Sequence, residues 1–309
     1  MELSHPETII MKPFTHFDDI LQAVESLPPI SVAVVDAEEH HVLEGVFDAT
    51  QAGLITPILI GHQETIRQQW NEFPSAPAAT IMSPVSGESA AECGVRLVLE
   101  NQAQTLMKGW IHTDELLHPV LTHLRTGSRV SHVFLVELAS YHKLLFVTDA
   151  AINIMPNLLT KAAIVNNAVS LARLLGRDAP KVAALSSVEE VKPAIPSTID
   201  AACLSKMGQR GQIPYAIIDG PLAFDNAISL EAAQTKNIDS PVSGDVDILL
   251  VPDLDAGNIL AKDLEYLAHA TLAGIVLGAK VPIILPSRSD PPRSRLVSAA
   301  LAKLMLQKQ

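Results

Sequence analysis

The residues best suited to chemistry lie near the C-terminus, in the segment Ser287-Arg288-Ser289-Asp290. An apolar run from Ile283 to Leu285 precedes them and is typical of a buried parallel strand. Pro291 and Pro292 follow, and a helix is expected from Arg293 to Lys308. Free N–H groups at a helix start and the planar donors of an arginine both favour an anion. An ordinary loop with a structural salt bridge explains the same local pattern.

Small or polar residues also follow four other predicted strands, and a simple turn does not require them. They are Gly109–Thr113, Thr148–Asn153, Asp219–Asn226 and Pro252–Lys262. If the strands are parallel, their carboxyl ends lie on one side and line one cleft between two domains. Lys108 and Thr113 are suited to meeting a phosphate, with Thr113 as a helix N-cap. Asp149 has the position of a ligand-facing carboxylate. Together, the five ends favour a small-molecule enzyme over a scaffold.

Apolar runs and helical patterns alternate along the chain, which predicts a parallel sheet. A hairpin is expected between strands at 129–138 and 143–156. Gly53 and Gly176 are expected to end helices, and the stretch Asp263 to Leu277 is predicted to be helical. Further strands are expected at 31–37, 56–62, 80–82, 181–189 and 247–251, and further helices at 38–52, 64–73, 87–101 and 159–175.

The composition describes an ordinary globular chain of 309 residues, long enough for two α/β domains. The formal charge of −12 disfavours binding to nucleic acid or to an anionic membrane. No transmembrane run and no signal peptide are expected from the sequence. Cys93 and Cys203 are far apart, without the spacing of metal ligands, and indicate thiols in a reducing cytoplasm.

The inventory of chemical motifs is short. The sequence has no G-x-S-x-G nucleophile elbow, no P-loop lysine motif, and no G-x-G-x-x-G after a strand. Carboxylates, hydroxyls, amides and a few basic residues remain. This set suits the binding of a phosphate-bearing substrate and a direct group transfer, with a carboxylate as the proton acceptor.

Several segments together resemble the phosphate acetyl/butyryltransferase family, from about Ser31 to the C-terminus. The most specific are Asp-Gly-Pro-Leu-Ala-Phe-Asp at 219–225, Pro-x-x-x-Ala-Gly-Asn at 252–258 and Ser-Arg-x-Asp at 287–290. The chain looks most like the short phosphotransbutyrylase branch. It is also similar to the acyltransferase half of proteins fused behind an enoyl-CoA hydratase domain.

The resemblance implies the reaction acyl-CoA + phosphate ⇌ acyl phosphate + CoA, by direct transfer without an acyl-enzyme. Coenzyme A and phosphate are then substrates, and no bound cofactor is expected. The implied fold is two α/β/α domains with a cleft between them, similar to isocitrate and isopropylmalate dehydrogenases. We expect residues 1–147 plus about 285–309 in the first domain and 148–284 in the second. A homodimer is also implied.

The resemblance also suggests roles for individual residues. Arg288 would bind phosphate and Ser287 would steady the transition state. Where the longer acetyltransferase branch has a catalytic aspartate seven residues after that serine, this chain has Ser294. Asp290 is therefore the first candidate for the base that deprotonates the CoA thiol, and Asp149 is the second. The remaining expected cleft residues are Lys108, Thr113, Ser131, Asn153, Asp225, Asn226, Asn258 and Lys262.

Two other functions remain open from the sequence. A metal- and nicotinamide-dependent decarboxylating dehydrogenase would need clustered carboxylates, which Asp149, Asp219 and Asp225 could imitate. A non-catalytic sensor of acyl-CoA or acyl phosphate would explain why no aspartate stands at Ser294. The length of the acyl chain does not follow from the sequence.

Overall fold

Alternating strands and helices form the first part of the chain. The computed structural model describes residues 12–287 and 290–307. In chain order this first part contains α1 (Phe17–Val24), β1 (Ile30–Val35), α2 (His40–Gln51), β2 (Ile55–Ile60), α3 (Gln63–Trp70), β3 (Thr80–Met82), α4 (Ala90–Leu99), β4 (Thr105–Lys108) and α5 (Thr113–His123).

The rest of the described chain begins with a hairpin and then alternates again. Its elements are β5 (Ser131–Glu137), β6 (Leu145–Thr148), α6 (Leu158–Leu174), β7 (Lys181–Leu185), α7 (Pro196–Gln209), β8 (Ile217–Leu222), α8 (Phe224–Ile228), α9 (Leu230–Thr235), β9 (Ile248–Leu250), α10 (Leu254–Tyr266), β10 (Thr271–Leu277), β11 (Ile283–Ile284) and α11 (Pro292–Gln307).

Local sequence signals account for several helix ends. Glu39 caps α2, because its side chain accepts hydrogen bonds from the backbone N–H groups of His41 and Val42. Gly53 and Gly176 follow α2 and α6 with φ angles of 66° and 86°, a left-handed conformation that glycine adopts at little cost. The prediction that these two glycines end helices is confirmed. The prediction that Thr113 caps α5 is off by one residue, because His112 holds the cap position.

The described strands form one sheet in the order β3-β2-β1-β4-β11-β10-β5-β6-β9-β7-β8. Strands β1 to β4 and β11 are parallel to one another, and so are β6, β7, β8 and β9. The central strands β10 and β5 pair antiparallel, and the predicted β5–β6 hairpin is confirmed. The two parallel groups therefore point in opposite directions. The expectation that all five polar strand ends lie on one side of a parallel sheet is wrong.

The reversal depends on β10, which the sequence pattern had assigned to a helix over Asp263 to Leu277. The helix ends at Tyr266, and the strand follows at Thr271. Its sequence, TLAGIVL, is an uninterrupted apolar run, and such runs fit a buried strand and a buried helix equally well. The β-branched Ile275 and Val276 suit the strand, which is buried almost throughout.

Both faces of the sheet are covered by helices. Alternating side chains of β1 show the division, since Val32 and Val34 pack with α1, α2 and α11, whereas Ala33 and Val35 pack with α4 and α5. Helices α6 and α7 extend the first layer, and α10 covers the second face farther along the sheet. None of the described helices is both long and apolar enough to span a bilayer.

Candidate active site

A cleft of about 270 Å³ lies where α5 and α10 face each other across the ends of β4 and β11. It is open to solvent and has a mixed polar and apolar lining. Five of the residues expected from the sequence line this one cleft: Lys108, Thr113, Asn258, Lys262 and Ser287. They come from four separate segments of the chain, and both parallel halves of the sheet contribute to the site.

The strand register explains why two of these segments meet. Met107 of β4 is level with Ile284 of β11 in a parallel pairing, so Lys108 and Ser287 leave the sheet close together. Gly109 allows the chain after β4 to lie against the end of β1, and its N–H donates to the Val35 carbonyl at 2.9 Å. A Cβ atom on Gly109 would lie only 2.2 Å from the Asp36 carbonyl oxygen.

A second glycine brings α10 to the cleft. Gly257, in the first turn of α10, packs against the loop after β6, where a Cβ atom would lie 3.0 Å from the backbone of Asp149 and of Ala150. This close contact holds α10 over the loop. Asn258 and Lys262 follow one and five residues later and reach the cleft.

Asp290 is a buried carboxylate beside the cleft. It accepts a hydrogen bond of 2.7 Å from the backbone N–H of Ser287, and its own N–H donates to the Ser287 carbonyl. Burial raises the pKa of Asp290 to about 6, and the charge of Glu265 adds to this rise. The hydrogen bond from Ser287 acts in the opposite direction and lowers the pKa, as do the charges of Lys262 and Arg295. Asp290 is therefore a carboxyl group that exchanges a proton near neutral pH.

Two lysines bring positive charge to the cleft. Lys262 forms an ion pair of 2.8 Å with Glu265 on the same face of α10. Lys108 is 93% buried by the surrounding chain, and its Nζ donates a hydrogen bond of 3.3 Å to the Gly109 carbonyl, among other contacts. Arg288 and Ser289, which belong to the predicted anion-binding segment, lie outside the described residues.

Asp149, the second candidate base, has a different environment. Its carboxylate accepts hydrogen bonds from the backbone N–H groups of Ala151, Ile152 and Asn153 and from the Asn153 side chain. Burial raises its pKa, while these hydrogen bonds act against the rise. Asp149 thus holds its own loop in shape, and of that loop only Ala151 lines the cleft.

The other expected site residues make structural contacts away from the cleft lining. The Ser131 hydroxyl contacts the Asn167 amide at 2.8 Å, and Asn153 donates to the Val130 carbonyl. Asp225 and Asn226 lie at the far end of the sheet, after β8. These two contact Lys236 and Glu189, respectively, and the pKa of Asp225 is lowered by its hydrogen bond with Lys236.

Ser294, which stands where the resemblance implies an aspartate, is buried in the first turn of α11. Its hydroxyl has no hydrogen-bond partner among the residues that the structure describes. Within residues 12–287 and 290–307, no three His, Cys, Asp or Glu side chains are grouped to hold a metal ion.

The sequence patterns did not point to three residues that also lie near the site, His112, Phe134 and Glu265. His112 and Phe134 line the cleft, and Glu265 acts electrostatically on Asp290. The three-residue spacing of Lys262 and Glu265, which puts them on one helix face, was a usable signal. Phe134 lies within the apolar run of β5, and its contact with the cleft depends on tertiary structure alone.

Comparison with known protein families adds independent evidence. The family described as "Phosphate acetyl/butaryl transferase" matches residues 82–303. The chain is 49% identical over 296 residues to a phosphate acetyltransferase of Rickettsia prowazekii, a match covering 94% of this chain and 84% of the relative. A phosphate butyryltransferase of Clostridium acetobutylicum is 40% identical, with 94% and 97% covered.

Solved structures agree with this result. A branched-chain phosphotransacylase from Enterococcus faecalis superimposes with a TM-score of 0.76 at 33% identity, covering 89% of this chain and 99% of the other. A phosphotransacetylase from Streptococcus pyogenes has the same fold, with a TM-score of 0.80 at 24% identity and coverage of 95% and 98%.

Proposed function

Because the chain belongs to the phosphate acetyl/butaryl transferase family, we propose that it transfers a short acyl group reversibly between coenzyme A and inorganic phosphate. The observation that carries this proposal is the position of Asp290. A carboxyl group with a pKa near 6 lies beside a cleft that also presents Lys108, Lys262 and Ser287. Such a site can exchange a proton with a thiol and neutralise a phosphate.

Asp290 acts as the base in the direction that forms acyl-CoA. It takes the proton of the CoA thiol, the resulting thiolate attacks the carbonyl carbon of the acyl phosphate, and phosphate leaves. In reverse, phosphate attacks acyl-CoA, and protonated Asp290 returns its proton to the departing thiolate. A carboxylate with a pKa of about 6 serves in both directions, because both its protonation states are populated near neutral pH. No acyl-enzyme is needed.

Positive charge in the cleft stabilises the phosphate and the oxyanion. Lys108 and Lys262 approach from opposite sides of the cleft and supply the charge that such a transition state requires. Ser287 contributes its hydroxyl to the reacting group, while its backbone N–H is engaged with Asp290. The family resemblance implies that Arg288 binds the phosphate.

We further propose that two lobes meet at this cleft. The first comprises residues 1–147 with about 285–309, and the second comprises 148–284, as the resemblance to the isocitrate and isopropylmalate dehydrogenase fold implies. The opposite directions of the two parallel strand groups support this division. Strands β10 and β11 belong to the second lobe by sequence, yet they pair with β5 and β4 of the first lobe, respectively.

A homodimer is the assembly we propose, in the cytoplasm. Four large apolar side chains near the start of α10 and α6 support it, since they are 61–87% exposed: Ile154, Met155, Leu159 and Ile259. Met155→Glu is expected to convert the dimer into monomers in light scattering coupled to size exclusion. A wild-type monomer at all concentrations would contradict the dimer.

One observation favours a second function, a sensor that binds acyl-CoA or acyl phosphate without turnover. Ser294 stands where the longer branch has its catalytic aspartate, and its buried hydroxyl is no substitute for a base. Tight CoA binding by calorimetry, with no phosphate-dependent release of CoA, would establish the sensor.

The experiment that tests the proposed function measures CoA release from acyl-CoA with a thiol reagent, with and without phosphate. We expect phosphate-dependent turnover, reduced about 100-fold or more in Asp290→Asn. Asp239→Asn, which changes an exposed carboxylate in the loop after α9, is the matched control and should retain full activity. If Asp290→Asn is as active as Asp239→Asn, the base lies elsewhere.

A further inference from the structure

A second cavity lies on the opposite face of the sheet from the cleft and adjoins it over the ends of β4 and β11. Lys108 and Ser287 line both spaces. We call the second one the apolar slot. Its apolar lining consists of Val42, Gly45, Met107, Trp110, Ile284 and Pro286. The slot is narrow, about 20 Å³ against 270 Å³ for the cleft.

Strand alternation explains the different chemistry of the two spaces. Met107 and Ile284 point towards α2 and α11, whereas the next residue of β11's run, Leu285, points towards the cleft. The charged groups near the slot are engaged with the first turn of α2. Glu39 accepts from the N–H groups of His41 and Val42, and Arg295 donates to the His41 carbonyl. Apart from these groups and from Lys108 and Ser287, where the slot adjoins the cleft, the remaining lining is apolar.

We propose that the apolar slot holds the hydrocarbon part of the acyl group and restricts it to acetyl. This inference rests on the proposed acyl transfer. The reacting carbonyl lies at Lys108 and Ser287, with phosphate and CoA in the cleft and the alkyl end in the slot. A volume of about 20 Å³ accommodates one or two groups the size of a water molecule. The methyl group of acetyl fits, and the three carbons of butyryl require the slot to widen.

The wild-type protein should therefore use acetyl-CoA in preference to butyryl-CoA. Rejection of one surplus methylene by a fitted pocket is worth about tenfold or more in kcat/KM. We expect at least about tenfold preference for acetyl-CoA over butyryl-CoA, with propionyl-CoA between them. A wild-type preference for butyryl-CoA would overturn the proposal.

Ile284→Ala widens the slot and has a matched control. Ile275 of β10 pairs directly with Ile284, points to the same face and is equally buried, but does not line the slot. The ratio of kcat/KM for butyryl-CoA to that for acetyl-CoA should rise about tenfold in Ile284→Ala and stay within about twofold in Ile275→Ala. An unchanged ratio in Ile284→Ala would overturn the proposal that the slot holds the acyl chain.

A second variant keeps the test decisive if Ile284→Ala does not fold. Val42 is only partly buried, and Val42→Phe would fill the slot from α2. We expect kcat/KM for acetyl-CoA to fall about tenfold with little change in the KM for phosphate. If Val42→Phe keeps full activity with acetyl-CoA, the proposed role of the slot is wrong, while the proposed acyl transfer still stands. Absence of wild-type turnover with every acyl-CoA contradicts the acyl transfer itself.

Discussion

The hydrogen bond from the Ser287 backbone N–H to the Asp290 carboxylate is the central contact of the site at the residue scale. The backbone N–H of Ser287 holds the carboxylate in place, while burial keeps its pKa near 6. Two other aspartates have different surroundings. The Asp149 carboxylate is hydrogen-bonded to its own loop, and the Asp225 carboxylate is paired with Lys236. Environment, not residue type, therefore distinguishes the proposed base, Asp290, from the other two carboxylates.

The pH dependence of acyl-CoA formation follows from the pKa of Asp290. The base must be deprotonated, so kcat/KM for acetyl phosphate and CoA should fall about tenfold per pH unit below pH 6. In Asp290→Asn this fall below pH 6 should disappear. The rate should instead follow ionisation of the free CoA thiol near pH 8.5. Initial rates from pH 5 to pH 9 measure both profiles. Identical profiles in the two proteins would exclude Asp290 as the base.

Asp290 should also lower stability at neutral pH. Its folded-state pKa of about 6 exceeds the ordinary 3.8, so its contribution to stability is full below pH 3.8 and is lost as pH rises through 6. The unfolding free energy of wild type relative to Asp290→Asn should fall by about 2 kcal/mol from pH 4 to pH 8. Urea titrations at both pH values test this, and a constant difference would refute it.

The sequence predicted part of the cleft lining at this scale. Ser287, Lys108 and Thr113 line the cleft, and polar residues at strand ends are visible in a sequence. Asp225 and Asn226 have the same local pattern, yet the structure places them at the far end of the sheet, after β8. Which strand ends meet depends on sheet order, and local patterns do not contain it.

At the element scale, the end of β4 is positioned by its contact with β1. Gly109→Ala would put a Cβ atom 2.2 Å from the Asp36 carbonyl oxygen, and backbone atoms have little room to yield. We expect a loss of about 3 kcal/mol in unfolding free energy together with reduced acyl transfer, because Lys108 would move.

Gly87→Ala provides the comparison for Gly109→Ala. No atom lies within 4 Å of the added Cβ, and only the positive φ of 84° opposes it. Its cost should be about 1 kcal/mol with activity retained. Chemical denaturation and the thiol assay on both variants decide the matter. Equal costs for the two substitutions would contradict the steric argument.

The elements themselves were predictable where a signal ended them. Gly53 and Gly176 mark the ends of α2 and α6, and the β5–β6 hairpin follows from two apolar runs separated by a short turn. Strand β10 was not predictable in the same way. Its apolar run has no helical or strand periodicity, and only its pairing with β11 and β5 makes it a strand.

At the scale of the whole molecule, a partly buried charge network secures the sheet away from the cleft. Lys143 pairs with Asp245 and Asp247, and Arg177 pairs with Asp247 as well. The Lys181 side chain completes the group. These contacts join the start of β6 to the segments before β7 and β9, so the network stabilises the second parallel group.

Lys143→Met should destabilise the protein without affecting the reaction. It leaves the buried Asp247 with less positive charge, which costs about 3 kcal/mol or more. Arg67→Met, which removes an exposed ion pair with Glu64, should cost less than about 1 kcal/mol. Unfolding titrations compare the two, and kcat should be unchanged in both. A loss of kcat in the folded Lys143→Met protein would link the network to catalysis.

The reversal of strand direction across the sheet makes the cleft a property of the whole chain. Lys108 and Ser287 come from one parallel group, and Asn258 and Lys262 follow a strand of the other. We propose that these residues, together with Asp290, transfer an acyl group from CoA to phosphate.

The most direct measurement is phosphorus NMR of the wild-type protein with acetyl-CoA and inorganic phosphate. We predict a new acyl phosphate resonance that grows in step with CoA release and that is lost in Asp290→Asn. Release of CoA without acyl phosphate would show hydrolysis of the thioester instead, and would contradict the proposed transfer to phosphate.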